Sequence, residues 1–222
     1  MTKEHKNTIL QRTAFACLLL ITGLANAQPA DLLEQAQRGD AQAQLRLGMM
    51  YEQGQGAEHN EFQAARYFRL AADQGLPAAQ AALASMYSVG LGVRKSEQEA
   101  LKWYRLAAGQ GHAPAQFTLG AKYEEGLDVD RDDQEAVKWF RLAADRGHAK
   151  AQTHLGLMYA SGRGVEVDMA QAGKWLHLAA VQGDAVAQQL VVSKEYLAMQ
   201  NPRQGNAAQH LAADLGQDHG SK

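Results

Sequence analysis

Several residues in this 222-residue chain have types and spacings that chemistry can use. Glycine pairs recur as Gly90-Leu91-Gly92-Val93 and Gly162-Arg163-Gly164-Val165. A phosphate-cradling loop needs a third Gly or a Lys-Ser/Thr pair after such a start, on a strand-to-helix turn. Neither is present, and each pair follows a helical pattern, so these read as structural loops. Asp128-Val129-Asp130-Arg131-Asp132 resembles the opening of a calcium loop. Its sixth position is Asp133, where a Gly must make the turn, and its twelfth is Trp139, where a bidentate Glu must stand. His112, His148, His154, His177 and His210 share no ligand spacing, and the single cysteine, Cys17, offers no thiolate set. No Ser/His/Asp set or carboxylate pair can be singled out. The residues therefore point to no catalytic centre, no cofactor and no metal.

What they share is a period. Tyr51, Tyr87, Tyr123 and Tyr159 stand 36 residues apart, as do Gly54, Gly90, Gly126 and Gly162. Trp103, Trp139 and Trp175 keep the same spacing, with Tyr67 in the first register. Ala-Gln recurs at 43, 79, 115, 151 and 187, and Ala-Ala at 71, 107, 143 and 179. The 41 alanines, a strong helical bias in themselves, fall largely into these fixed positions. A period of this length without indels marks a stacked repeat. The aromatic series then reads as inter-repeat packing rather than a ligand cage.

Each unit reads as two helices. Ala43, Leu47 and Tyr51 lie at i, i+4 and i+8, on one face of a first helix that Gly54 ends in the left-handed region. The second helix opens on a capping box in every copy: Asn60…Gln63, Ser96…Glu99, Asp132…Glu135 and Asp168…Gln171. Pro77 and Pro114 sit in first turns, where a missing N–H costs nothing. His112 and His148, one repeat apart, stand at helix entries. The expected organisation is a capping half-repeat at 28–40, then repeats at 41–76, 77–112, 113–148 and 149–184. A degenerate capping repeat and tail follow at 185–222, where residues 206–216 end in Leu-Ala-Ala-Asp-Leu-Gly, like residues 70–75.

Residues 1–27 read as a secretory signal peptide: Lys3, Lys6 and Arg12, then an apolar run at 14–24, then Ala25-Asn26-Ala27. The run is too short for a good membrane span, which needs about 20 residues. Cleavage after Ala27 leaves a chain with no cysteine, which packing alone must hold. The expected location is the periplasm or the exterior, with no stable membrane span. A net charge of −2 disfavours nucleic acid as a partner.

The pattern Ala-x-Ala-Gln-x-x-Leu-Gly-x-x-Tyr-x-x-Gly, then Gly-Val, then Ala-x-x-Trp-x-x-x-Ala-Ala-x-x-Gly, resembles the Sel-1-like repeat family. The resemblance implies an all-α solenoid of αα-hairpins, a right-handed superhelix related to tetratricopeptide repeats. It also implies a non-catalytic scaffold that binds a protein or peptide on its concave face, lined by first helices. Asp128 replaces the second loop Gly in copy three, and Ala57 stands where other copies have Val. The lack of further cysteines sets the chain apart from a cysteine-rich branch associated with binding or hydrolysing penicillin-type compounds. Such a hydrolase, and a peptidoglycan- or polysaccharide-binding envelope module, are the alternatives. First-helix positions that do not recur are the candidates for partner contact: Arg46, Met49, Lys122, His154 and Leu157. The acids around Asp132, namely Glu124, Glu125, Asp130, Asp133 and Glu135, read as a solvated stretch that favours a basic partner surface.

Overall fold

The computed structural model describes residues 29–193. The leader assigned to residues 1–27, with Cys17, lies outside them, as does the chain after Ser193. The described residues form ten helices and no strand. α1 (Pro29–Gln37) precedes four hairpins. These are α2 (Ala41–Gln53) with α3 (Glu61–Asp73), α4 (Pro77–Val89) with α5 (Glu97–Gly109), α6 (Ala113–Glu125) with α7 (Asp133–Ala144), and α8 (Ala149–Ser161) with α9 (Met169–Val181). α10 (Ala185–Val191) follows. Each first helix packs on its own second helix and on the second helix of the preceding repeat. The result is an all-α hairpin solenoid.

The helix boundaries follow from local chemistry. Gly54, Gly90, Gly126 and Gly162 end the first helices with φ between 67° and 91°, in the left-handed region. Asn60, Ser96, Asp132 and Asp168 accept from the N–H three residues on, at 2.9–3.3 Å. The reciprocal half of the expected capping box is not made. Each cap's own N–H donates instead to the tyrosine carbonyl of the first helix, as Asn60 to Tyr51 at 2.9 Å and Asp168 to Tyr159 at 3.1 Å. That bond closes the loop and releases the third residue, so Glu135 pairs with Lys138 at 2.8 Å. His112 and His148 are N-caps, their Nδ1 accepting from Ala115 and Ala151. Burial pushes both imidazoles below their ordinary value, which suits a ring that must keep a lone pair to accept.

Packing within a hairpin depends on a notch. A Cβ on Gly48 would lie 2.5 Å from the Phe68 ring, and one on Gly120 2.6 Å from the Phe140 ring. Phe68 and Phe140 are fully buried there. Copy two has Ala84 in the notch, and Tyr104 stands half-exposed in place of the phenylalanine. Its hydroxyl bonds to Ser85, and burial pushes the phenol above its ordinary value. The Trp series packs between repeats as its spacing implies, but unevenly. Trp103 and Trp175 are buried, but Trp139 is only partly so, and the deepest aromatic of repeat three is its neighbour Phe140.

Packing between hairpins depends on the glutamine of each Ala-Gln pair. Gln44, Gln80, Gln116 and Gln152 are buried, and each Nε2 donates to a carbonyl at the end of the preceding second helix. The acceptors are Ala36, Ala72, Ala108 and Ala144, at 2.9–3.2 Å. Each of those helix-end carbonyls also accepts from the glycine N–H three residues on, Gly39, Gly75, Gly111 or Gly147, so the amide is its second donor. The amide oxygens of Gln44, Gln80 and Gln152 then accept from Gln74, Gln110 and Gln182, at 2.7–2.8 Å. In copy three the donor position holds Arg146, which donates to the Leu142 carbonyl instead. Gln116 Oε1 is left buried without a donor.

The loops add a steric seam. A Cβ on Gly92 would lie 2.0 Å from the Glu61 carbonyl oxygen, and one on Gly164 2.1 Å from that of Asp133. The second loop glycine therefore lets one repeat's loop touch the backbone at the start of the preceding second helix. Asp128 takes this position in copy three at φ 62°, the one non-glycine residue with positive φ among the described residues. Its carboxylate accepts from Lys122 at 2.5 Å.

The broken amide ladder generates a prediction with an unusual sign. Arg146→Gln supplies the missing donor to Gln116 Oε1 and should stabilise the protein by about 1 kcal/mol in urea denaturation. A neutral or destabilising result contradicts the ladder.

Candidate interaction surface

The first helices carry all five candidate contact residues. Arg46 and Met49 are exposed on α2, three residues apart on one side of the helix. His154 and Leu157 have the same spacing on α8 and are half-buried. Between them, α4 and α6 present mostly small side chains: Ala82 and Ser85, then Thr118 and Ala121. Val89, exposed at the end of α4, adds apolar surface.

Lys122 lies on α6 but does not face outward. Its side chain is only 11% exposed and is shared between Asp128, at 2.5 Å, and Glu97, at 3.7 Å. Beside it, Lys122 holds the Asp128 carboxyl below the usual carboxylate range. These contacts join the loop of repeat three to the second helix of repeat two.

His154 belongs to a second network, between repeats three and four. Its Nδ1 lies 2.8 Å from Glu124 Oε2. Arg163, from the loop of repeat four, reaches Glu124 Oε1 at 3.1 Å and both oxygens of Asp133, at 2.9 Å and 3.4 Å. Burial pushes the Glu124 carboxyl up, but His154 and Arg163 together hold it below its ordinary value. Arg163 likewise holds Asp133 down. The His154 ring also sits edge-on to Phe117, at 5.4 Å, and 4.9 Å from the Phe140 ring. His148 stacks on Phe117 at 4.8 Å.

This corrects the reading of the acids around Asp132 as a solvated stretch for part of the set only; Glu125 and Asp130 are exposed. Glu124 and Asp133 are consumed by Arg163, Glu135 by Lys138, and Asp132 by its own helix. Arg163 and Phe117 were not singled out from the sequence. The available signal was that Arg163 stands where the other copies have Gln55, Leu91 and Leu127. An unmatched cation 30 residues after an acid is the pairing seen here. Among the described residues, no group of three or more His, Cys, Asp or Glu side chains is placed to hold a metal ion. None of the described helices is long and apolar enough to cross a membrane.

The Glu124 network makes a measurable statement. A Glu124→Gln/Arg163→Met double-mutant cycle should give a coupling of about 1–2 kcal/mol at pH 7. A carboxyl held low when folded contributes stability above its unfolded pKa and loses it as pH falls through the folded value. The coupling should therefore fade as pH drops below the ordinary carboxylate range. A cycle that closes to zero at pH 7 contradicts the network.

Comparison with known proteins fits this architecture. The Sel1 repeat profile matches four consecutive segments, residues 41–76, 77–112, 113–148 and 149–184. A Sel1 repeat protein from Oxalobacter formigenes is 40% identical, over 73% of this chain and 47% of that one, with a TM-score of 0.70. A protective antigen present in uropathogenic Escherichia coli strains, displaying an SLR fold, is 32% identical over 84% of this chain and 41% of that one, with a TM-score of 0.69. The chain thus spans less than half the length of either structure. An immunity protein from Pseudomonas aeruginosa, 19% identical over 92% of this chain and 80% of that one, shares the fold at a TM-score of 0.51. No curated protein shows significant similarity to the chain. With four consecutive profile matches on a hairpin solenoid, the chain belongs to the Sel1 repeat family.

Proposed function

We propose that this protein is an exported, non-catalytic scaffold that holds a protein or peptide partner on its first-helix face. Sel1 repeat proteins are generally protein-interaction scaffolds, and that much applies to this chain as a family member. The observation that carries the finer reading is where the repeat leaves its residues free. The Ala-Gln pair, the notch glycine, the Tyr carbonyl and the caps are all spent on stacking. The outward positions of the first helices are not, and they change from copy to copy. A rigid stack presents such positions over a broad area with little ordering cost on binding.

Arg46 and Met49 are the free contacts at one end of this face, and Leu157 adds apolar surface at the other. His154 acts through its bond to Glu124 and Lys122 through Asp128 and Glu97, holding adjacent repeats in one orientation. Export rests on the pattern of residues 1–27, with a cut after Ala27.

The test is co-purification from an envelope lysate. Tagged protein should retain a proteinaceous partner, and Arg46→Glu with Met49→Ala should lower retention at least tenfold. The thermal midpoint should barely move, since exposed substitutions usually change stability by less than about 0.5 kcal/mol. Unchanged retention by the variant, or retention on purified murein instead of a protein, contradicts the reading.

A further inference from the structure

Stacking explains a recurring side chain when that side chain is buried. Leu70, Leu106, Leu142 and Leu178 recur one repeat apart on the second helices, yet each is 39–45% exposed. A cation stands four residues before each of them, Arg66, Lys102, Lys138 or Lys174, and all four cations are exposed. That spacing puts each cation and its leucine on one helical face. The second helices thus carry a basic and apolar row that the stack does not consume. It lies on different helices from the first-helix contacts Arg46 and Met49.

A further row of cations runs beside the leucines. Arg69 and Arg141 donate to the hydroxyls of Tyr87 and Tyr159 in the following repeat, and Arg105 donates to that of Tyr123 at 3.3 Å. The guanidiniums of Arg69 and Arg141 also lie over those rings, 5.4 Å and 5.3 Å from the centroids. A phenol positions a guanidinium without neutralising it. Among the described residues, none of these three arginines has a carboxylate within ion-pair reach. Arg66 and Lys174 rest on the Tyr67 and Trp175 rings, at 5.6 Å and 5.0 Å. Lys102 and Lys138 reach back to Glu99 and Glu135, in surface pairs that hold little energy. Residues 66–73, 102–109, 138–145 and 174–181 together hold seven Lys or Arg against two acids, Asp73 and Asp145, in a chain whose net charge is −2. Positive charge is therefore gathered on this face.

We propose that the second-helix face binds an acidic segment of a partner protein that runs along the stack, with its carboxylates on the arginine row and its apolar side chains on the leucine row. An arginine fork matches a carboxylate in shape as well as charge. Guanidiniums already held by tyrosines lose little further freedom when they bind. Neighbouring helix axes lie about 8–10 Å apart, so equivalent leucines of successive repeats stand up to ~20 Å apart, about six extended residues. A linear chain fits such a row. A bilayer does not, because an interfacial helix buries its apolar face by about 5–10 Å, and these leucines are already more than half covered by their own stack. The proposal concerns a different surface from the first-helix scaffold reading and does not rest on it.

Fluorescence anisotropy with the full chain tests it. The probe is a labelled peptide of about 20 residues, built of Glu and Ser with a Leu at about every sixth position. It should bind, and the same peptide with Ser in place of Leu should bind at least ~fivefold more weakly. Arg69→Gln, Arg105→Gln and Arg141→Gln combined should weaken the Leu peptide at least ~tenfold. Leu106→Ser with Leu142→Ser should weaken it at least ~fivefold. That pair leaves the tyrosine bonds in place, so it tests the face whether or not the arginine variant folds. Arg46→Glu with Met49→Ala should leave binding unchanged; a loss there puts the peptide on the first helices and overturns the proposal. No binding, equal binding of the two peptides, or binding indifferent to the leucine pair overturns it as well. Binding to phosphatidylglycerol vesicles but not to the peptide assigns the face to a membrane, and arginine-dependent dimers in sedimentation assign it to a second copy; either result overturns it.

Discussion

A buried amide that ends one helix and begins the next contact is the interaction on which this solenoid depends. Helix C-termini leave carbonyls that must find donors, and a stack of hairpins buries such an end at every repeat. Glycine N–H groups reach the carbonyls of Ala36, Ala72, Ala108 and Ala144 from within the same turn, and Gln44, Gln80, Gln116 and Gln152 add a second donor from the following helix. The alanine before each glutamine is equally buried. Its small side chain allows the approach that puts the amide within reach. Removing either residue disturbs the other, so the pair recurs as a unit. The second set of amides, Gln74, Gln110 and Gln182, then ties the second helix of a repeat back to its first.

Individual repeats depart from this scheme in ways that have local compensation. Copy two fills the notch with Ala84, and Tyr104 anchors to Ser85 rather than being fully buried as Phe68 and Phe140 are. Copy three places Asp128 in the left-handed loop position and holds it with Lys122. Copy four carries Arg163, which grips both Glu124 and Asp133 across the junction with copy three. The junctions at either side of repeat three therefore carry ion networks of their own, each closed by a loop residue. Adjacent repeats are held in orientation by charge as well as by packing, which suits a surface that must be rigid to bind broadly.

Much of this was legible in the sequence because a stack repeats its constraints. The period, both helices of each unit, the second-helix N-caps and the glycine ends each correspond to a backbone group that must be satisfied or a close approach that must be allowed. What stayed hidden involves partners that a pattern does not display. The glutamine acceptors are main-chain carbonyls eight residues earlier, which no side-chain spacing reveals. The capping boxes lost their reciprocal half because the Tyr carbonyl competes for the same N–H. Trp139 and Phe140 are adjacent, and only the notch at Gly120 shows which of them is buried. The acids near Asp132 read as solvated because Arg163 lies 30 residues away at a position that does not recur. Of the five surface residues, Lys122 and His154 looked free for the same reason.

The amide bridge can be measured at one junction against another. Gln80 makes both of its bonds, to Ala72 and from Gln110, whereas Gln116 makes only the first. Urea denaturation of Gln80→Leu should show a loss of about 1–2 kcal/mol, the net worth of its two hydrogen bonds. Gln116→Leu should lose clearly less. Equal losses, or a Gln80→Leu protein as stable as the parent, would contradict the claim that this amide holds the repeats together.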